Sequence, residues 1–372
     1  MKILKIVQTP ARFYPYTGGV EKYVLDLSQE LVSQGHRVKV ICANEPNSTI
    51  SNIYGIEVKR LNYVGKITNT NITLNLFFTL IKENYDIIHT HFPTPWSADI
   101  SMVVSTLLRK PLILTYHNDV IKSGLSGVLA DIYNKTLLQL ILRKAEKIID
   151  TQPSYINKSK YLQKYKEKIV TIPNGVNTKL YKDEKIKKIK SQILFLSVLD
   201  KYHRYKGLDY LIKAIKLVKL RNPKVKLIVG GNGELIKEYK LLANKLGVAN
   251  NVEFKGFIEN NELIKLYNQS ELFVLPSINI QEGFGIVLLE SLSCGTPVIA
   301  TDLVGIANEI KLHKCGLVVA SKDVNQLASA IIKITKSKKI TTIMKKNTKK
   351  LIRKYDWKNL AIEIKNIYMD AV

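Results

Sequence analysis

Two glutamates, Glu282 and Glu290, stand eight residues apart in the stretch EGFGIVLLE, with a Gly-Phe-Gly turn and an apolar run between them. A helix opening near Gly285 aims its unpaired first-turn amides and the positive end of its dipole at whatever lies beside Glu282. Ile286, Val287, Leu288, Leu289 and Leu292 make that helix apolar nearly all round, which predicts burial. A carboxylate inside a buried helix is costly unless it accepts hydrogen bonds, and sugar hydroxyls are well-matched donors. The competing reading of Glu290 is a salt-bridged structural glutamate.

Other groups with chemistry recur along the chain. GGVE at 18–21 lets backbone amides approach a phosphate with no Cβ in the way, or is only a tight turn. GGNGE at 230–234 lacks the third glycine of the dinucleotide fingerprint. Lys206-Gly207 opens a helix, where the lysine either holds a diphosphate as a point charge or is a surface residue. His89, His91 and His117 end apolar runs. They lack metal-site spacing, and at most two are expected to reach a common point, as substrate contacts or as hydrogen-bonded structural histidines.

The elements that must position these residues follow from periodicity. Short apolar runs alternate with amphipathic helical patterns, which predicts parallel α/β domains. ILKIVQ (3–8), VKVICA (38–43), YDIIHTH (85–91), PLILTYH (111–117) and IIDTQP (148–153) read as strands, with helices from Val20 and over roughly 125–147. A second series opens at KIVTIPNGV, near residue 169, and continues through ILFLSVL (193–199), KLIVGG (226–231), NVEFKG (251–256), ELFVLPS (271–277), TPVIATD (296–302) and CGLVVA (315–320). YDWKNLAIEIKNIYMDAV reads as a terminal helix. A chain of 372 residues is long enough for two such doubly wound domains. Ligands bind beyond the carboxyl ends of their strands, where the candidates collect.

Composition narrows the function classes. Lys and Arg number 57 against 31 Asp and Glu, a formal net charge of +26. That predicts an anionic partner, and solvated lysine-rich faces account for much of it. YINKSKYLQKYKEK (155–168) mixes Tyr with Lys as a membrane interface does, whereas the basic stretch at 336–350 has no aromatic residue. Cys42, Cys294 and Cys315 give neither a disulfide framework nor a zinc knuckle, and a reducing compartment fits. The opening MKILKIVQTP lacks the length of a signal peptide, and no run approaches the ~20 apolar residues of a membrane span. The expectation is a cytoplasmic protein, peripheral on the inner face of the cell membrane.

In order along nearly the whole chain, GGVE, DIIHTHFP, TYHN, IPNGV, KGLDYLIKAI, VGGNGE, the run from EFKGF to LFVLPS, and EGFGIVLLESLSCGTPVIATD carry a pattern. It resembles the retaining nucleotide-sugar glycosyltransferases of the GT-B fold, group four, the E-x7-E family similar to glycogen synthase and sucrose synthase. The resemblance implies α/β architecture with two Rossmann-like domains facing across a cleft: an acceptor-side domain over 1–170, a donor domain over 171–355, and a helix over 356–372 crossing back. It implies that Glu290 holds the donor ribose and Lys206 the diphosphate. Phe284, Gly285 and Ile286 would lend amides, Gly19 would close over the diphosphate, and Phe257 and Ile258 would border the base. Glu282 would contact the transferred sugar, and His117 would lie near the reacting carbon.

One departure from the family stands out. An Arg common in relatives is replaced by Val198 in SVLDKYHRYKG, which makes His203 or Arg204 the candidate replacement cation. The implied activity is transfer of a hexose from a nucleoside-diphosphate sugar to a hydroxyl of a glycan or lipid-linked acceptor, with retention. No cofactor is expected beyond that co-substrate. No metal is expected either, since the chain lacks D-x-D and Mg²⁺ at diphosphates is usually held by carboxylates. The rival enzyme is a non-hydrolysing nucleotide-sugar epimerase. The rival from another class is a basic protein that binds membranes or nucleic acid; the main reading has no nucleic-acid partner.

Overall fold

The computed structural model describes residues 2–16, 18–67, 70–120, 125–152, 156 and 159–372. Tyr155 and part of the Tyr-Lys stretch after it lie outside the described residues. The chain divides into two compact units, residues 1–175 with 357–372, and residues 176–356. Among the described residues, no helix is long and apolar enough to cross a membrane.

The first unit carries a sheet built from β1 (Lys5–Thr9), β2 (Arg37–Ala43), β3 (Asn52–Ile53), β4 (Ile56–Leu61), β7 (Ile87–Phe92), β8 (Leu112–Tyr116), β9 (Lys147–Asp150) and β10 (Ile169–Thr171). β5 (Lys66–Ile67) and β6 (Thr70–Asn71) pair separately. The large sheet runs β10-β9-β8-β7-β1-β2-β4-β3, and every pair except β3-β4 is parallel. Strands such as LILTY are buried at every position, as a sheet covered on both faces requires. Helix α1 (Gly19–Ser33) buries Tyr23, Val24, Leu27 and Leu31 at helical spacing. It is followed by Gly35 at φ +89°, a left-handed turn that suits glycine.

Two expectations are corrected here. The single helix expected over 125–147 is two, Leu125–Lys135 and Leu137–Lys144, interrupted at Thr136 (φ −116°, ψ −87°). The Thr136 hydroxyl bonds back to the carbonyl of Ile132 at 2.7 Å, a local bond that competes with continuing the helix. The run KIVTIPNGV does not open the second series: β10 pairs parallel with β9, Ile169 opposite Ile148, and so closes the first sheet. The helix Trp357–Ala371 belongs to this unit as well. It packs Trp357, Leu360, Ile364 and Tyr368 among Leu4, Ile6, Tyr23 and Leu27.

The second unit holds β11 (Ile189–Leu196), β12 (Lys226–Gly230), β13 (Val252–Gly256), β14 (Ser270–Leu275), β15 (Val298–Thr301) and β16 (Gly316–Val319). All its strand pairs are parallel, in the order β13-β12-β11-β14-β15-β16. Counted from β11 this is the 3-2-1-4-5-6 order of dinucleotide-binding sheets, whose direction of winding reverses between β11 and β14. In the first unit the corresponding reversal lies between β1 and β7.

Candidate functional site

In the second unit the loops that leave β11 and β14 meet at the reversal. The carbonyl of Tyr205 accepts from the amide of Ile278 at 2.8 Å. Gly207, at φ +73°, brings its backbone so near that a Cβ would lie 2.1 Å from the carbonyl oxygen of Pro276. Beyond this contact Lys206 Nζ lies 2.9 Å from Glu282 Oε1 and 2.7 Å from Oε2. Ser277 Oγ donates to Glu282 Oε2 at 3.0 Å. Glu282 is only 7% exposed. Burial works against the charge on Lys206, yet the facing Glu282 carboxylate leaves its pKa raised, so it stays cationic.

Downstream of Glu282 the turn passes through Gly283 and Gly285, both at positive φ, and enters the helix Ile286–Ser293. Its opening amides have no partner within the helix. Phe284 is buried with its ring 5.6 Å from that of Tyr355, and Ile286 is half-buried. Glu290, one turn further on, is 4% exposed, and Tyr267 Oη donates to its Oε2 at 2.7 Å. Burial, then the Glu290 charge, hold the Tyr267 phenol well above its ordinary pKa, so it remains a donor. Glu290 thus has a neutral hydrogen-bond donor behind it.

The structure places the remaining candidates of this unit as follows. Ile258 packs on the tip of β12, where a Cβ at Gly230 would meet its Cδ1 at 2.3 Å, while Phe257 is 66% exposed beside it. Arg204 pairs with the Glu238 carboxylate through both terminal nitrogens, one at 2.7 Å. His203 Nδ1 lies 2.7 Å from Asp200 Oδ1, in the same turn. Val198 is 49% exposed. Lys206 and Glu282 are therefore brought together, whereas Arg204 and His203 are engaged with acids of their own.

In the first unit Gly18 and Gly19 lead into α1. Glu21 folds back so that its Oε2 would sit 2.3 Å from a Cβ at Gly18, and its Oε1 is 3.6 Å from Arg12 Nε. Burial raises its pKa, with Arg12 acting in the opposite sense. A Cβ at Gly19 would meet nothing within 4 Å.

His89 and His91 on β7 and His117 after β8 stand in a row. Ring centroids are 4.6 Å apart for the first pair and 5.7 Å for the second. The row arises because the parallel register sets His91 opposite Thr115 and brings His117, two residues further on, alongside, so neighbouring rings meet in pairs. His89 lies 2.7 Å from Thr115 Oγ1 and 2.5 Å from Tyr368 Oη. Tyr23 sets its ring edge-on to His91 and His117. Burial lowers the pKa of His91 well below the ordinary value and of His89 and His117 to about 3, so the row is neutral. Among the described residues no three His, Cys, Asp or Glu side chains are grouped to hold a metal ion. A cavity of about 250 Å³ lined by Lys5, Arg37, Lys39, Glu57, Glu83 and Tyr85 lies at the amino ends of β1 and β2, the opposite end of the sheet from His117.

Sequence reasoning passed over Ser277, Tyr267 and Gln8. Ser277 and Gln8 each end a run that reads as a strand, a positional signal that Tyr267, which reads as an apolar helix residue, lacks.

Comparison with known proteins matches residues 177–351 to the family Glycosyl transferases group 1 and residues 17–180 to Glycosyltransferase Family 4. An uncharacterized glycosyltransferase of Methanocaldococcus jannaschii is 28% identical, covering 99% of each chain. The D-rhamnosyltransferase WbpZ of Pseudomonas aeruginosa is 28% identical over 81% of this chain and 78% of its own. Among solved structures, Anabaena HepE in complex with UDP-glucose superposes with a TM-score of 0.80, at 20% identity, covering 99% of this chain and 100% of that one. The fold is GT-B.

Proposed function

We propose, for a chain whose residues 17–180 match Glycosyltransferase Family 4 and whose residues 177–351 match Glycosyl transferases group 1, that it is a glycosyltransferase which moves a hexose from a nucleoside-diphosphate sugar to a hydroxyl of a glycan or lipid-linked acceptor with retention of configuration. The observation that carries this reading is the Lys206–Glu282 pair at the reversal of the second sheet, with a helix N-terminus opening directly after it. In this reading Lys206 and the amides of Phe284, Gly285 and Ile286 take the diphosphate. Glu290 takes the ribose hydroxyls, Glu282 the hydroxyls of the sugar, and Phe257 and Ile258 border the base. In the first unit His117 serves the acceptor side, and Gly19 serves the diphosphate.

The bond that breaks joins the anomeric carbon to the diphosphate oxygen, and its electron pair leaves with the diphosphate. Lys206 and the helix-end amides stabilise that growing charge more than they stabilise the bound donor. The acceptor oxygen bonds to the anomeric carbon on the face being vacated, and its proton passes to a leaving-phosphate oxygen. The nucleotide sugar is the co-substrate, and neither a further cofactor nor a metal is required. HepE, which superposes on the chain, is solved with UDP-glucose, and this supports a nucleotide sugar as donor.

A matched nucleotide sugar is expected to raise the melting temperature, since it binds only the folded chain, and EDTA is expected to leave transfer unchanged. Activity lost in EDTA and restored by Mg²⁺ would overturn the metal-free account, and epimerised free nucleotide sugar without acceptor would favour the epimerase.

The reading also includes peripheral attachment to an anionic membrane. Val128, Leu129 and Ile132 on the helix Leu125–Lys135, with Leu137 and Leu140 on the next helix, are exposed; the same two helices carry Lys135, which pairs with Asp131 at 2.8 Å, and Arg143 and Lys144. Aliphatic side chains framed by cations suit the headgroup boundary. Changing Leu129 and Ile132 to Asp is expected to reduce co-sedimentation with phosphatidylglycerol vesicles; undiminished binding would assign the charge to solvation alone.

A further inference from the structure

Gln8 sits on β1 with no exposed surface, between α1 and the histidine row. Its amide Nε2 donates to Ser28 Oγ at 3.1 Å, which turns its Oε1 toward His91 Nε2 at 2.8 Å. An amide oxygen can only accept, so the proton of neutral His91 is on Nε2 and its Nδ1 carries a lone pair. That lone pair faces His117 Nε2 at 3.5 Å, a long contact that only an Nε2–H on His117 can satisfy. Neutral His117 then has no proton left for Nδ1. His91 has no exposed surface, so bulk solvent does not reach its nitrogens.

We propose that Gln8 is a positioning residue which, through His91, fixes His117 as the Nε2–H tautomer, so that position 117 offers an acceptor nitrogen and selects a hydroxyl over a phosphate or carboxylate. This rests on the reading of His117 as a substrate contact. A neutral imidazole presenting a lone pair repels an anion and accepts from a sugar hydroxyl, whereas the other tautomer would donate to either. Tyr23, edge-on to both rings, keeps them from turning over.

Nitrogen NMR of histidine-labelled full chain without ligand tests the relay directly. The expected spectrum at neutral pH has His117 protonated on Nε2 and bare on Nδ1; the reverse assignment overturns the proposal. Gln8→Met keeps the side-chain length and removes the acceptor. Its His117 signals are expected to shift toward a mixture of tautomers, with KM for the acceptor rising about tenfold and KM for the nucleotide sugar unchanged. A purely structural Gln8 would lower the melting temperature without moving those signals, and that outcome overturns the proposal too. Full transfer by His117→Ala would instead overturn the substrate-contact premise, and with it the selection of a hydroxyl, while a reversed tautomer overturns the relay alone.

Discussion

Glu290→Ala is expected to abolish measurable donor binding while the chain stays folded. In the proposed role its carboxylate accepts from two ribose hydroxyls. Hydrogen bonds to a charged group contribute about 1.5–3 kcal/mol each, so the pair accounts for roughly two to four decades of affinity. The substitution also strands Tyr267 Oη, which has no exposure and now donates to Glu290. That costs about 1–3 kcal/mol of stability and lowers the melting temperature by several degrees. Glu290→Gln separates the two effects: it keeps an acceptor for Tyr267, so stability is expected to recover while donor affinity remains weakened. Calorimetry showing undiminished donor affinity in Glu290→Ala would overturn the assignment.

Lys206→Met is expected to act on rate and on stability through different partners. Loss of the cation facing the leaving diphosphate is expected to lower kcat about 10²–10³-fold, the range seen when one preorganised charge-stabilising donor is removed. It also leaves Glu282 buried beside Ser277 without its cation, and breaking such a pair from one side costs about 3–5 kcal/mol. Adding Glu282→Gln to Lys206→Met should restore most of the stability and none of the rate. A double-mutant cycle read by thermal denaturation and by steady-state kinetics checks both halves. If the double variant recovers its activity along with its stability, Lys206 serves the fold alone.

How much of this could be read beforehand depended on the kind of information needed. The helix after Gly285 was legible because five apolar residues leave no polar face, and Lys206 and Glu282 were legible because both follow strands. Their pairing was not: 76 residues separate them, and only the adjacency of β11 and β14 brings them together. The same holds for His91 and His117, neighbours through the register of β7 on β8. Periodicity says that Ile169–Thr171 is a strand but not which sheet it joins. Tyr267 was hidden for another reason, since its ring fills the core as any aromatic would and only the direction of its hydroxyl distinguishes it. Arg204 shows the converse: a cation at the right place in the sequence can still be occupied by a neighbouring helix, here through Glu238.

The helix Trp357–Ala371 has a consequence for biosynthesis. A Cβ at Gly175 would lie 2.7 Å from the Trp357 ring, and Tyr368 reaches His89 inside the first sheet. The core of the first unit therefore stays open at the ribosome until residues 357–371 have emerged, after the whole of the second unit has been made. A nascent chain stalled before Trp357 would expose Leu4, Ile6 and Leu27, a surface for chaperones to cover.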